Sequence, residues 1–302
     1  MLRRARQVPR FVRRRSVRAL NRALSRIELR KALAAEVPLD HPPIFIVGAP
    51  RSGSTLLYQL LVVRFDVGYL SNLHCRFHGA PALVERMAGR RLEPPAAFSS
   101  DHGRTDGRAA PSECGPYWYR FFRRSPQYVR LEDSNPDALR DLRASVRALG
   151  DAAGRPLVFK NLLNSLRLEP LGEAFPEALF LVVQRDLADN VASILAARRS
   201  VLGDVAAWWS AEPPGVEELR RQPPEAQAAG QVTGIHELID GARQRIGPER
   251  FLDIEYEQLC ADTHAVLAEI SGFASSHGLE LALRRSVPPH FEAGHGSRLL
   301  EA

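Results

Sequence analysis

Short, mainly apolar segments alternate along the chain with segments in which apolar residues recur every three or four positions. The first kind is typical of buried strands and includes Ile44–Val47, Phe65–Leu70, Leu157–Lys160, Ala178–Gln184 and Phe251–Glu255. The second kind predicts helices after residue 54 (Leu56, Leu57, Leu60, Leu61) and over Pro136–Leu149, Leu162–Phe175, Asp186–Arg199, Gln231–Ile246 and Leu259–Phe273. This alternation predicts a single α/β domain, a doubly wound and mainly parallel sheet with helices on both faces.

Two stretches lack such a pattern. Residues 89–116 are rich in Gly, Pro, Ser and Asp and predict a long irregular segment, a kind that is usually functional or disordered in a compact domain. Trp208 and Trp209 precede a proline-rich stretch, residues 213–224, which we interpret as a flap.

The first 37 residues form a basic N-terminal arm ahead of a domain predicted over residues 38–302. Residues 1–31 hold eleven Arg and one Lys against the single acid Glu28. Val17, Leu20, Leu24 and Ile27 make an apolar stripe at helical spacing. Such a helix either contacts an anionic surface or packs its stripe on the domain, and both interpretations stay open.

Charge and composition exclude several classes. Outside residues 1–31 the chain has 29 basic and 34 acidic residues, and no nucleic-acid-binding motif accompanies the arm. The three cysteines are far apart, which argues against a disulfide framework and a structural zinc site. No apolar run approaches the ~20 residues of a membrane helix, and the N-terminus lacks the apolar core of a signal peptide. We therefore expect a cytoplasmic enzyme.

The segment from Gly48 to Thr55, sequence GAPRSGST, joins the first predicted strand to a helix. Gly48 and Gly53 permit a sharp turn and a close approach of the backbone to a ligand. Ser54 and Thr55 open the helix, whose unpaired N–H groups and positive dipole end suit a phosphate. A nucleotide-triphosphate P-loop would carry Lys where this chain has Ser54, and the cation of this loop is Arg51 instead. A P-loop nucleotide kinase or NTPase, or an inactive nucleotide-binding protein, remains the alternative.

Three candidate positions lie where predicted strands end: Gly48, Lys160 and Arg185. Ligands of open parallel sheets gather at the carboxyl ends of the strands. The sequence therefore predicts one anion-binding site at that edge.

GAPRSGSTLL resembles the 5′-phosphosulfate loop of sulfotransferases that use 3′-phosphoadenosine 5′-phosphosulfate (PAPS), with Ser54 where Thr is usual. The segment from Phe175 to Asp186, followed by Ser193, resembles the 3′-phosphate motif of that family. The resemblance, which extends roughly from Pro43 to Phe273, implies that Arg185 and Ser193 bind the 3′-phosphate. Tyr256, in a segment similar to R-Y-E-D-L, would lie by the adenine.

The resemblance implies in-line transfer of a sulfuryl group from PAPS to an acceptor hydroxyl on a carbohydrate or a lipid-like small molecule, with an amine as the alternative acceptor, and without a metal. Ser52, Gly53, Ser54 and Thr55 would hold the 5′-phosphate. Arg51 and Lys160 would neutralise charge on the leaving phosphate oxygen.

A general base is harder to identify. Many sulfotransferases carry a His shortly after the Lys that ends the middle strand, but Asn164 stands there and cannot accept a proton at neutral pH. Glu113 is our candidate base, because it lies at the end of the long loop, near the predicted site, and its aromatic neighbours partly desolvate it. Its segment also resembles the P-x-E-x-G-x-F-W stretch of one bacterial sulfotransferase group. His102 is the second candidate, and an Arg partner or a helix cap is the structural alternative for Glu113.

Overall fold

The computed structural model describes residues 10–35 and 38–294. Its strands are β1 Ile44–Gly48, β2 Gly68–Tyr69, β3 Leu157–Lys160, β4 Leu179–Gln184 and β5 Phe251–Glu255. They form one parallel sheet in the order β2-β3-β1-β4-β5. The sequence-based fold class, a doubly wound parallel sheet, is confirmed.

Twelve α-helices occur in the described residues, with three short 3-10 segments. The helices are α1 Arg10–Ala34, α2 Ser54–Arg64, α3 Asn72–Arg76, α4 Pro81–Ala88, α5 Gly115–Trp118, α6 Pro136–Ala153, α7 Leu168–Ala174, α8 Leu187–Leu202, α9 Val216–Leu219, α10 Pro224–Ile246, α11 Tyr256–Ala261 and α12 Thr263–Ser276. The 3-10 segments are Gly89–Arg91, Leu162–Leu166 and Pro248–Arg250. Within the described ranges, no helix is both long and apolar enough to cross a membrane.

Alternate residues of each buried strand face opposite sides of the sheet, so the described residues form one large apolar core on each face. A smaller cluster lies between α8 and α10 and includes Ile194 and Val232. One face is covered by α5, α6, α7 and α10, and the other by α2 and α12. On the first face a row of phenylalanine rings crosses four adjacent strands: Phe159, Phe45, Phe180 and Phe251, with neighbouring centroids 4.7–5.7 Å apart. Phe45 of β1 therefore packs between rings of both neighbouring strands, at the centre of the sheet and next to the turn that joins β1 to α2.

Four predicted elements differ clearly in the structure. The strand predicted over Phe65–Leu70 shrinks to Gly68–Tyr69, because Phe65 ends the preceding helix and pairs with Leu283 instead. The helix predicted over Leu162–Phe175 breaks at Arg167, whose buried side chain donates to the carbonyl oxygens of Arg123 and Gln127.

The last predicted helix, Leu259–Phe273, is interrupted at a different place from the one expected near Gly272. Asp262 separates α11 from α12 and caps α12, its side chain accepting from the Ala265 N–H at 3.0 Å. The helix predicted over Gln231–Ile246 starts earlier, at Pro224, because a proline fits the first turn of a helix.

Helix α1 packs on the domain through polar contacts as well as through apolar residues such as the buried Ala32. The side-chain carbonyl of the buried Asn21 accepts from the Gly79 N–H at 2.8 Å, and its amide donates to Arg76 O at 3.1 Å. Leu20 and Ile27 remain 44% and 56% exposed. Val17 and Leu24, the other two residues of the stripe, are partly buried, so both interpretations of the stripe stay open.

Candidate functional site

The turn between β1 and α2 carries unusual backbone geometry. Gly48, Arg51 and Gly53 have φ values of 147°, 64° and 94°, and a Cβ on Gly48 would come within 2.5 Å of Val183 O. Gly53 has no side chain that caps α2, so the first N–H groups of the helix face the adjacent cavity. The local structure has the sharp turn and the open helix N-terminus that the sequence predicts, and anion binding there stays a prediction.

Two residues that the sequence analysis missed hold this loop in place. The Ser165 hydroxyl accepts from Gly48 N–H (3.0 Å) and donates to Gly48 O (2.9 Å). The Asn190 amide donates to Pro50 O at 2.6 Å. Asn190 precedes Ser193 by three residues in α8, so both lie on one helix face, a spacing that sequence analysis can detect. Ser165 lies in a 3-10 segment that was predicted as part of a helix, and its pattern gave no such signal.

A cavity of about 630 Å³ opens at the carboxyl edge of the sheet. The predicted residues Arg51, Gly53, Ser54, Thr55, Glu113, Lys160, Arg185 and Tyr256 line it. Ser193 joins them through its hydroxyl, which accepts from Arg51 Nε at 3.2 Å. Ser52 is fully buried in the loop beneath, and its hydroxyl has no partner among the described residues.

Two guanidinium groups share one end of this cavity. Arg185 donates to Arg51 O at 3.0 Å, and Arg185 Nε is buried without a partner in the described part of the chain. Burial, and then the positive charge of Arg185, lowers the pKa of Arg51. Two cations held together against their repulsion form a site that an anion stabilises.

Tyr256 forms the wall beside these cations. Its ring lies 4.7 Å from the Arg185 guanidinium carbon, and a Cβ on Gly53 would come within 2.2 Å of the ring. The Tyr256 hydroxyl accepts from Gly294 N–H at 3.2 Å, and the Gly294 carbonyl accepts from Arg185. The last described residue of the chain therefore lies across this end of the cavity.

Lys160 and Glu113 form an ion pair at the other end. Lys160 is only 5% exposed and also donates to Thr55 Oγ1 at 3.3 Å, while the Glu113 side chain is 34% exposed. The Glu113 Oε2 atom accepts from Leu162 N–H at 3.3 Å, and the Glu113 carbonyl accepts from Asn161 and Trp118. The structure therefore brings the predicted base and one predicted cation into direct contact, whereas Arg51 contacts Ser193.

A tight turn, Asp101–Arg104, covers Glu113. Asp101 and Arg104 exchange backbone hydrogen bonds of 2.8 and 2.9 Å, and both central residues have positive φ. A Cβ on Gly103 would lie 3.4 Å from Glu113 Oε1 and 3.6 Å from Thr55 Oγ1. His102, the second base candidate, instead points its Nε2 to Ser200 Oγ at 3.3 Å. Asn164, at the position where many sulfotransferases have His, is buried.

The chain is similar to curated sulfotransferases of mycobacteria. The chain is 26% identical over 257 residues to omega-hydroxy-beta-dihydromenaquinone-9 sulfotransferase Stf3 of Mycobacterium bovis and, equally, to that of Mycobacterium tuberculosis. The match covers 78% of this chain and 63% of each relative, so the chain spans less than two thirds of these curated relatives.

Solved structures show the same fold. Sulfotransferase STF9 from Mycobacterium avium matches with a TM-score of 0.57 and 19% identity, over 89% of this chain and 73% of that one. Sulfotransferase STF1 from Mycobacterium tuberculosis matches with a TM-score of 0.54 and 20% identity, over 89% and 76%.

A family model described as the sulfotransferase family matches residues 42–277, which include Arg51, Arg185, Lys160 and Tyr256 of the cavity. This match extends over well more than half of the chain. The chain belongs to the sulfotransferase family.

Proposed function

We propose that this protein transfers a sulfuryl group from PAPS to an acceptor hydroxyl. The observation that carries the proposal is the pair of partly buried guanidinium groups, Arg51 and Arg185, beside an open helix N-terminus in one cavity. These groups suit a nucleotide with phosphates at two separate positions. The unpartnered Ser52 hydroxyl and Arg185 Nε are buried donors, and such donors fit phosphate oxygens.

In this proposal, different parts of the cavity bind the two phosphate groups of the nucleotide. The loop residues Ser52–Thr55 hold the 5′-phosphate, and Arg185, Ser193 and Arg51 hold the 3′-phosphate, with Tyr256 packing beside the adenine. PAPS, when bound, supplies a sulfuryl group on a good leaving group, the 5′-phosphate. Arg51 stays available to that phosphate as well, because it lies inside the loop.

Lys160 and Glu113 then act at the reacting end. The Lys160 ammonium, already beside Thr55, neutralises negative charge that develops on the leaving phosphate oxygen. Glu113 takes the proton from the acceptor hydroxyl, and that proton transfer makes the hydroxyl oxygen a better nucleophile. The turn at His102 and Gly103 supplies the wall against which the acceptor lies.

The acceptor that we propose is a lipid-like alcohol. The curated relatives are named for omega-hydroxy-beta-dihydromenaquinone-9, a hydroxylated quinone. A polar cavity holds the nucleotide well, but a long apolar acceptor needs a second, apolar environment while its hydroxyl reaches Glu113.

We further propose that α1 and α4 contact an anionic lipid surface. Leu20 and Ile27 of α1 and Leu83 and Met87 of α4 are exposed, and Ile27 and Leu83 line a common groove of about 330 Å³. Exposed arginines follow this stripe every four residues: Arg18, Arg22, Arg26 and Arg30. Apolar side chains beside a row of cations suit anionic headgroups over acyl chains.

Calorimetry with three nucleotides tests the proposed donor. The protein should bind 3′,5′-ADP, the nucleotide product of the transfer, at least tenfold more tightly than 5′-AMP, because a charge-assisted contact contributes about 1.5–3 kcal/mol. Added Mg²⁺ should change this affinity little. Equal affinity for 3′,5′-ADP and 5′-AMP, or tighter Mg²⁺-dependent binding of ATP, would overturn the proposal.

A further inference from the structure

Two of the three cysteines meet directly behind Glu113. Ser71 and Pro111 pair as an antiparallel bridge, and Ser112 N–H donates to Leu70 O at 2.7 Å. Cys75 lies one helical turn beyond Ser71 in α3, and Cys114 lies shortly beyond Pro111. Cys75 packs against the core cluster that contains Cys114, on the same face of the sheet, where α3 lies against α5.

The two thiols differ in their exposure to solvent and in the direction in which their pKa values are shifted. Cys114 is 2% exposed and Cys75 is half-buried. The hydrogen bond from Cys114 lowers the pKa of Cys75 to about 7 in spite of burial, and the Ser112 hydroxyl contributes in the same direction. Burial raises the pKa of Cys114 well above its usual value. Cys75 is therefore the accessible thiolate, and Cys114 is a partner thiol held against it.

Cys114 is also coupled to the reacting end of the cavity through the backbone. It follows Glu113 directly and has a φ of 44°, a left-handed conformation that is strained for a residue with a side chain. The Glu113 carbonyl is fixed by the Asn161 amide at 3.0 Å and Trp118 Nε1 at 3.1 Å. A movement of Cys114 would therefore alter the position of the Glu113 carboxylate.

We propose that Cys75 and Cys114 form an oxidation site for peroxide that ends in a disulfide behind Glu113. The Cys75 thiolate attacks one peroxide oxygen, so that an S–O bond forms, the O–O bond breaks and hydroxide leaves. The Cys114 sulfur then attacks the Cys75 sulfenic acid; an S–S bond forms, the S–O bond breaks, and water leaves with the Cys114 proton. Two thiols and one hydrogen peroxide thus give one disulfide and two waters.

The site can be tested without any assumption about sulfuryl transfer. The purified full-length protein is treated with hydrogen peroxide, and its remaining free thiols are titrated under denaturing conditions. A proteolytic digest of the treated protein is then analysed by mass spectrometry. The wild-type protein should lose two of its three thiols and yield a linked Cys75–Cys114 peptide that dithiothreitol separates. Cys260→Ser should behave in the same way, because Cys260 lies outside the pair.

Cys75→Ser removes the attacking thiolate from a half-buried position and should give no linked peptide. Separate single-cysteine oxidation products in the wild type, or a disulfide that includes Cys260, would overturn the proposal. If the activity proposed above is measured in parallel, peroxide should lower it at least tenfold in the wild type and in Cys260→Ser, reversibly, but not in Cys75→Ser. A linked peptide without loss of activity would overturn the coupling to Glu113 while leaving the nucleotide-binding result untouched.

Discussion

The ring of Tyr256 occupies the space that a side chain at Gly53 would need. A Cβ built on Gly53 would come within 2.2 Å of Tyr256 Cδ2, and Gly53 has a φ of 94°. The phosphate loop at the end of β1 and the residue that follows β5 are therefore matched in shape, although 203 positions separate them (256 − 53).

This contact makes Gly53→Ala a sharp test of the nucleotide site. The substitution adds left-handed strain of about 1–2 kcal/mol and pushes the Tyr256 ring, so 3′,5′-ADP binding should be lost. Gly203→Ala is the matched control, since Gly203 also has a positive φ (74°) but has nothing within 4 Å of its Cβ position. It should lower the melting temperature while leaving the nucleotide affinity unchanged. Equal losses of affinity in both variants would contradict a role for the Tyr256 contact.

Arg185→Ala should weaken 3′,5′-ADP binding by at least tenfold, because a charge-assisted contact of about 1.5–3 kcal/mol is lost. Binding of 5′-AMP should fall much less, since it lacks the phosphate that Arg185 is proposed to hold. Arg221→Ala removes one exposed positive charge elsewhere and serves as the control. The assignment fails if both nucleotides lose affinity to the same extent in calorimetry.

Glu113→Gln should lower the rate of sulfuryl transfer by ~10²–10⁴, because an amide cannot accept the acceptor's proton. Nucleotide affinity and melting temperature should stay close to those of the wild-type protein. Glu113→Asp keeps a carboxylate and should retain more turnover than Glu113→Gln. Near-normal turnover of Glu113→Gln together with loss of turnover in His102→Ala would move the base assignment to His102.

The combined substitution of Leu20 and Ile27 by Ser should reduce binding to vesicles that contain anionic lipid and leave nucleotide affinity unchanged. Both side chains are largely exposed, so the fold should tolerate the change. Leu283→Ser, at a leucine that is 67% exposed on another part of the surface, is the control. Vesicle flotation at increasing salt measures the effect. Undiminished binding of the double variant would contradict the proposed lipid contact.

A buried ion-pair network gives a prediction about acid stability. Glu85 contacts His74 Nε2 at 3.1 Å and an Arg155 nitrogen at 3.0 Å. Burial opposes ionisation of Glu85, but the hydrogen bonds and charges of His74 and Arg155 outweigh it and lower the pKa below the usual 4.5. A lowered carboxyl pKa stabilises the folded state above about pH 4.5, and this contribution is lost as the pH falls through the folded-state value.

Glu85→Gln should therefore be less stable than the wild-type protein at pH 7. The difference in the free energy of unfolding should shrink as the pH falls below about 4.5. Urea unfolding at a series of pH values measures it. A difference that stays constant from pH 7 to pH 3 would mean that packing, rather than the charge of Glu85, stabilises this region.

The sequence predicted the elements that local patterns specify. Three of the longer strands, β1, β3 and β4, were found because they are almost entirely apolar, and the turn after β1 was found because glycines mark it. The sequence could not reveal that Arg167 breaks a predicted helix, or that Asn21, a polar residue, attaches α1 to the domain. In both cases contacts with distant residues overrode the local apolar spacing.

The candidate site also combines residues that local patterns identify with residues that only distant contacts bring into place. Arg51, Lys160 and Arg185 were identified because strand ends and spacing from a recognisable motif are local properties. Ser165 and the position of Gly103 beside Glu113 were missed, since each depends on a residue at least ten positions away and such contacts leave no periodic signal. Asn190 was missed although its spacing from Ser193 places both on one face of α8.

The strand order also governs when the protein can acquire its structure during synthesis. The central strand β1 pairs with β3 and β4, and Ile44 lies opposite Val158 and Leu179, which follow it by 114 and 135 residues (158 − 44 and 179 − 44). Loop-closure entropy must be overcome before such distant pairings form, which makes folding slow. The apolar segment Ile44–Val47 therefore leaves the ribosome long before its partner strands exist. Until β4 has emerged, the partner strands of this apolar segment are incomplete, and unpaired apolar strands of this kind are prone to aggregation.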